Sequence, residues 1–352
     1  MTKKFLYALL IALTPIIIII SPVFSSTSLG QSDRVCAYHS EAYQGLELTQ
    51  LSEELSSTGL IGRVHGAAEN AQMFVMSVRS PDDFFSHREF SLLTSDRATL
   101  DTLNQLHRHD RVCIQGNFIP NPSPQKHIAV SSIQVLESWS QPEGFTPYSR
   151  QADFPAQLQN QTSLTGKVHA IGEDGKILVV EYQDGVIPIF VTATEYTQEL
   201  YRGDIVQISY QIQSRPQQPT HLQLDTTAEK PLEVIDAIAT WHNQKQTLTG
   251  NLVKFPQSPQ IKFDVYALSV DTQGIKRYFT LVNFEDMDEF DNIRQKLAEI
   301  WDENAGTALA GRNMLINPEV TLQANGLINI VSPEQANPQI LLDNAEQIQR
   351  VE

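Results

Sequence analysis

Three short segments of one pattern constrain this chain more than anything else in it: "GLIGRVHG" at 59–66, "LTGKVHAI" at 164–171 and "LTGNLVKF" at 248–255. A strand that starts three times, each time with a glycine near its beginning, predicts one small unit built three times over. The middle copy is the most regular. After its opening strand, "KILVVEYQ" and "VIPIFVT" are two β-rich runs separated by Asp184-Gly185, a hairpin signal. "ATEYTQELYRGD" then places Tyr196, Leu200 and Tyr201 at helical spacing, and "IVQISYQI" and "HLQLDT" supply two more strands. The first copy runs through "QMFVMSVRS", "REFSLLT", a helix with Leu100, Leu103 and Leu106 on one side, "RVCIQGNF" and "IAVSSIQVL". The third runs through "KFDVYALSV", "KRYFTLVNF", a long helix, "ALAGRNMLIN" and "GLINIVS". Its helix puts Met287, Phe290, Ile293, Leu297 and Ile300 on one stripe.

The order strand, strand, strand, helix, strand, strand is that of the five-stranded OB barrel. The predicted fold is therefore mainly β with α: three tandem OB-like barrels, each with a helix between strands three and four, plus an N-terminal signal helix. The predicted boundaries are 1–30 for the signal segment, 31–139 for barrel one with a leading helix, and 140–157 for a Pro- and Gln-rich linker. Barrel two follows at 158–228, and barrel three with its leading helix at 229–352. The leading helices are "GLELTQLSEELSS", with Leu48, Leu51 and Leu55, and "EVIDAIATWHNQKQ", with Val234, Ile238 and Trp241.

The pairing of "LTGKV" early with "RGDIVQI" late resembles exported OB-fold proteins related to anticodon-binding-like domains. The first copy keeps "IGRV" and "HDRVCIQG"; the third keeps "LTGN" and then departs, with "AGRNMLI" in place of the Gly-Asp turn. The resemblance implies a binding or scaffolding fold and leaves the bound species open, because OB barrels host unrelated functions.

The segment "MTKKFLYALLIALTPIIIIISPVFSSTSLGQS" has a basic start, an apolar run from Phe5 to Ile20 and small residues after it. That is the layout of a secretory signal peptide, cut after Ser25 or Gly30, with a retained membrane anchor as the alternative. Either implies an extracytoplasmic location. In that setting the two cysteines, Cys36 and Cys113, read as a disulfide tying the N-terminus to barrel one. The net charge of −16, from 25 basic and 41 acidic side chains, repels polyanions and argues against nucleic acid as a partner.

Catalytic signatures are missing: no Gly-rich phosphate loop, no G-x-S-x-G, no H-E-x-x-H and no paired C-x-x-C. No enzyme activity and no cofactor is expected. Six of the nine histidines, His39, His65, His87, His107, His109 and His127, fall in the first copy, but His107 and His109 are two apart and share no helix face. "EDMDEFD" at 285–291 packs five carboxylates, which suit the first turn of a helix; no metal site is expected from it. One ligand face stands out. Alternation sends Lys262 and Tyr266 outward on one strand of barrel three, and Lys276 and Tyr278 outward on the next, where OB barrels stack bases or sugars. The competing reading is a face covered by the neighbouring barrel. The leading functional expectation is an exported, non-enzymatic interaction or scaffold module with envelope proteins as partners. The alternative is binding of a glycan or nucleic acid on the outer face of barrel three.

Overall fold

Gly62, Gly166 and Gly250, the residues shared by the three strand starts, are fixed by one steric fact: each strand there presses on the next. A Cβ on Gly62 would stand 2.7 Å from the carbonyl oxygen of Ser77, on Gly166 2.5 Å from that of Glu181, and on Gly250 2.4 Å from that of Ser269. In each copy that oxygen belongs to the residue paired with the one just after the glycine: Arg63 with Ser77, Lys167 with Glu181, Asn251 with Ser269. No side chain fits, so the glycine recurs.

The computed structural model describes residues 47–68, 73–79, 87–120, 126–139, 155–172, 175–183, 185–214, 221–258, 261–310, 314–333, 335 and 337–351. The signal segment, Cys36 and most of the 140–157 linker lie outside the described residues.

Barrel one consists of helix α1 (Leu48–Ser57), strands β1 (Leu60–Ala68), β2 (Met73–Arg79) and β3 (His87–Leu93), helix α2 (Arg97–Leu103), and strands β4 (Arg111–Ile119) and β5 (Lys126–Glu137). Its sheet closes in the order β1-β2-β3-β5-β4, with β3 and β5 parallel and the remaining pairs antiparallel. Leu51 and Leu55 of α1 and Leu103 of α2 enter its core fully buried, each worth about 1.5–3 kcal/mol.

Barrel two has α3 (Ala156–Gln159), β6 (Ser163–Gly172), β7 (Ile177–Tyr182), β8 (Gly185–Phe190), β9 (Ile205–Gln213), β10 (His221–Leu224) and β11 (Leu232–Asp236). The β9–β10 pairing closes the same ring, and β11 adds to the outside of β9. Two expectations are corrected here. The segment between strands three and four forms only a 3-10 turn, Thr194–Tyr196. Thr197 is buried with its hydroxyl on Gly175 and Thr194 carbonyls, which ends the helical run, and Leu200 with Leu158 of α3 fills the barrel end instead. Residues 233–236, expected in a helix of barrel three, belong to strand β11 of barrel two's sheet; Val234 and Ile238 never share a helix face. Only a 3-10 turn, Ile238–Trp241, follows.

Barrel three has β12 (Lys245–Phe255), β13 (Val265–Thr272), β14 (Ile275–Val282), α4 (Met287–Glu303), β15 (Leu309–Ala310), β16 (Leu315–Asn329), β17 (Gln339–Leu341) and β18 (Ile348–Val351). A ring forms through β12-β13-β14-β17-β16 and the β12–β16 pairing, but β15 and β18 add to β16, so this is no clean five-stranded barrel. "ALAGRNMLIN" and "GLINIVS" are not its last two strands: one long β16 runs through both "LIN" at 315–317 and "GLIN" at 326–329, and the fifth strand is β17. Pro318 hid the continuity, since a proline inside a strand pattern usually ends it. The acidic run starts α4 as expected: Asp286 accepts from the amides of Asp288 and Glu289. Among the described residues, no three His, Cys, Asp or Glu side chains gather where they could hold a metal ion, and no helix is long and apolar enough to cross a membrane.

Candidate interaction site

The turn before strand four carries the same aspartate in barrels one and two. The Asp110 carboxylate accepts from the His107 amide at 2.7 Å and from the Trp139 amide, just past β5, at 2.7 Å. The Asp204 carboxylate accepts from the Tyr201 amide at 2.8 Å and from the Ile238 amide, just past β11, at 2.8 Å. Each aspartate thus clamps its own turn to the chain that leaves the barrel. The residue before it is left-handed in both cases, His109 at φ 73° and Gly203 at φ 101°. Burial raises the Asp204 carboxyl above its ordinary value, against the pull of the two amides.

Around the second clamp, barrels two and three are joined by buried polar groups. Arg277 of β14 is 1% exposed. Its Nε donates to the Gly203 carbonyl at 2.9 Å, Nη1 to the Asp236 carboxylate at 3.0 Å and Nη2 to the Asp236 carbonyl at 2.8 Å. The guanidinium lies 5.6 Å from the Trp241 ring, which stacks on Phe279 of barrel three's core. The Arg202 amide donates to the Pro333 carbonyl at 2.8 Å, so the same turn also holds the chain after β16. Burial and the nearby Arg108 of barrel one push the Arg202 guanidinium down to about 10, against the attraction of Glu181.

A second set of contacts lies beside it. Lys167, the lysine of "LTGKV", is 5% exposed. Its Nζ donates to the Lys276 carbonyl at 2.7 Å, pairs with Glu181 at 2.9 Å and sits 4.7 Å from the centre of the Tyr278 ring. His169 Nδ1 meets the other Glu181 oxygen at 2.8 Å. Burial favours protonation of Glu181, but the bond from His169 and the Lys167 charge outweigh it and hold the carboxyl at about 2, against an ordinary 4.5. A depressed carboxyl adds stability that is complete above about 4.5 and lost as pH falls through about 2. The melting temperature is expected to drop across that window, and Glu181→Gln to flatten the drop; a variant with the parent's slope would remove Glu181 as its source.

The four residues expected to form a ligand face do not share one. Tyr278 and Lys276 do point outward on β14, but Lys167 of barrel two sits over the Tyr278 ring and bonds the Lys276 backbone carbonyl, leaving the Lys276 side chain exposed. Tyr266 is 5% exposed and packs in the core beside Leu268 and Phe279. Lys262 is exposed in the β12–β13 loop, 5.8 Å from the Trp139 ring of barrel one. The alternation on β13 was right and its inside was reversed. Leu268 and Val270 share the phase of Tyr266 and mark the core side. Val265 and Ala267 mislead because the outer face is also apolar, with Val253, Ala267 and Met314 packed against Phe255, Tyr278 and Ile316. Burial and the charges of Asp264 and Asp302 push the Tyr266 phenol up to about 12. In an alkaline absorbance titration a step near 12 is expected, and it should vanish in Tyr266→Phe; a titration unchanged by that substitution would place Tyr266 in solvent.

Lys167, Arg277, Asp204 and Asp236 went unread as site residues. A lysine at a strand centre beside a required glycine was the available signal for the first. Cys113 is 2% exposed on β4, paired across the sheet with Ile61; the expected bridge depends on Cys36, outside the described residues.

No family model matches this chain, and no curated protein does. Among solved structures it is similar to a murine DNA-binding protein bound to double-stranded DNA, at 16% identity over 51% of this chain and 99% of that one, with a TM-score of 0.18. It is similar to asparaginyl-tRNA synthetase from Pyrococcus horikoshii at 16% identity over 32% of this chain and 27% of that one, TM-score 0.21. An aspartyl-tRNA synthetase from Entamoeba histolytica gives 14% identity over 38% and 30%, TM-score 0.23. The chain spans less than a third of each synthetase.

Proposed function

We propose that this chain is a non-enzymatic binding module in which barrels two and three act as one rigid body. The observation that carries the reading is the seam itself. On the strand-two and strand-three face of barrel three, where OB barrels commonly take ligands, Lys167 of barrel two docks on the Tyr278 ring and the Lys276 carbonyl. A barrel pair joined through the buried Arg277 and Lys167 holds its outer surfaces in fixed relation, as a scaffold requires. Export to the cell envelope belongs to the same proposal and rests on the N-terminal pattern; the Cys36–Cys113 bridge would fit it.

Binding of an oligomer is the second reading, supported by the uncharged side chains of Thr247, Gln323, Asn325 and Gln349 set side by side on β12, β16 and β18 of barrel three. One of the similar structures is of a protein bound to DNA, but the charge of −16 opposes a polyanion here. Two measurements separate the readings. Recovery of the tagged protein in mild detergent should bring a companion at near-equal stoichiometry, reduced when Arg277→Ala loosens the seam. Fluorescence anisotropy with a labelled single-stranded oligonucleotide at physiological salt should show no binding. Tight, salt-sensitive binding with no companion would overturn the scaffold reading in favour of nucleic acid.

A further inference from the structure

We infer that barrel three carries a binding groove for a neutral, hydroxyl-rich chain, a glycan, on the face formed by β12, β16 and β18. This deepens the binding-module reading and rests on it, but uses a surface away from the seam.

The three strands lie side by side, with Thr247 opposite Asn325, Thr249 opposite Gln323, and Gln323 opposite Gln349. Inward neighbours Leu248, Leu322, Ala324 and Ile348 are buried in the core, so the threonine and amide side chains stand on the outer face. The 3-10 turn Ala345–Gln347 rises beside them and borders an open groove of about 350 Å³.

The wall is fixed before any ligand arrives. Asn344 accepts from the Glu346 amide at 3.0 Å, and Gln347 bonds both the amide and the carboxylate of Asp343. Lys296 of α4 donates to the Ala345 and Ile348 carbonyls, each at 2.8 Å, pinning the turn to the helix. The floor, in contrast, has spare capacity. Gln323 donates once, to Thr249 at 3.3 Å; among the described residues, the side chains of Thr247, Asn325 and Gln349 are given to no other group.

Side-chain amides and hydroxyls both donate and accept. Their natural complement is a ligand whose groups also do both and which carries no charge, and sugar hydroxyls meet that description. The lining holds no Lys or Arg, and its single charge, Glu346, would repel phosphate or sulfate. It holds no large apolar side chain for an amphipathic peptide. No aromatic ring is present for stacking, so affinity in the millimolar range is expected, near −4 kcal/mol.

The test uses the full chain, 15N-labelled, with cellohexaose, maltohexaose and the N-acetylglucosamine hexamer as neutral probes and hyaluronan hexasaccharide as a charged one. Side-chain amide signals of Gln323, Asn325 and Gln349 should shift with at least one neutral probe and not with hyaluronan. Asn325→Ala with Gln349→Ala, both exposed and remote from the core, should weaken that titration at least tenfold while leaving the melting curve in place. No shift with any neutral probe, equal shifts with hyaluronan, or an unaffected double variant would each overturn the groove. If the groove fails while a stoichiometric companion is still recovered, the binding-module reading stands without it; if both fail, the reading falls as well.

Discussion

Arg277→Ala is expected to destabilise the junction of barrels two and three by about 3–5 kcal/mol, the cost of removing one partner from a buried ion pair. The guanidinium is 1% exposed and makes three bonds, one to the Asp236 carboxylate and two to carbonyls. Alanine would leave all three acceptors unpaired and a void beside Trp241. The melting temperature should fall by roughly 6–20 °C, at about 2–4 °C per kcal/mol for a unit of this size. Calorimetry should also show one transition for the two barrels separating into two, since the lost bonds link barrels and do not belong to either core. Arg277→Lys keeps the charge but not the planar fork, and should fall between the parent and alanine. A loss below 1 kcal/mol in Arg277→Ala would mean that the barrels are held elsewhere or not held.

This junction shows where reading the sequence stops. Its turn could be found: "HRHD" and "YRGD" stand at matching places in two copies, each an Arg two residues before the Asp. What the aspartates do could not, because their second partners, the amides of Trp139 and Ile238, come from chain 29 and 34 residues downstream. The same limit explains Arg277. Local alternation puts it on the inward side of β14, which is correct, but nothing nearby announces that Gly203 and Asp236 wait at the barrel's end. Tyr266 failed differently. Its strand is apolar on both sides because Met314 and Ile316 cover the outside, and pattern alone cannot rank two apolar faces. The repeated glycine, and the strand order of barrels one and two, were legible because both come from contacts between neighbouring strands, which a repeat reports again; in barrel three the last two strands were not.

Gly166→Val is the sharpest test of that last point. The Cβ alone would lie 2.4 Å from Val180 Cγ1 and 2.5 Å from the Glu181 carbonyl oxygen. The first neighbour is a core side chain, fully buried, and the second is backbone held by the β6–β7 ladder, so neither can retreat cheaply. Overpacking of this kind costs typically 1–3 kcal/mol and more when backbone must move; for valine, with two further methyl groups, about 3 kcal/mol or above is expected. The displaced carbonyl belongs to Glu181, whose carboxylate pairs with Lys167 and His169 at the seam. The variant should therefore both melt early, by about 6–12 °C, and lose part of the acid-dependent fall in stability that Glu181 produces. Gly274→Ala is the control, since a Cβ there would meet nothing within 4 Å; its φ of 81° is left-handed, so a cost of about 1 kcal/mol comes from backbone strain alone. Equal losses in the two variants would show that the repeated glycine serves backbone conformation and not the close passage of strand on strand.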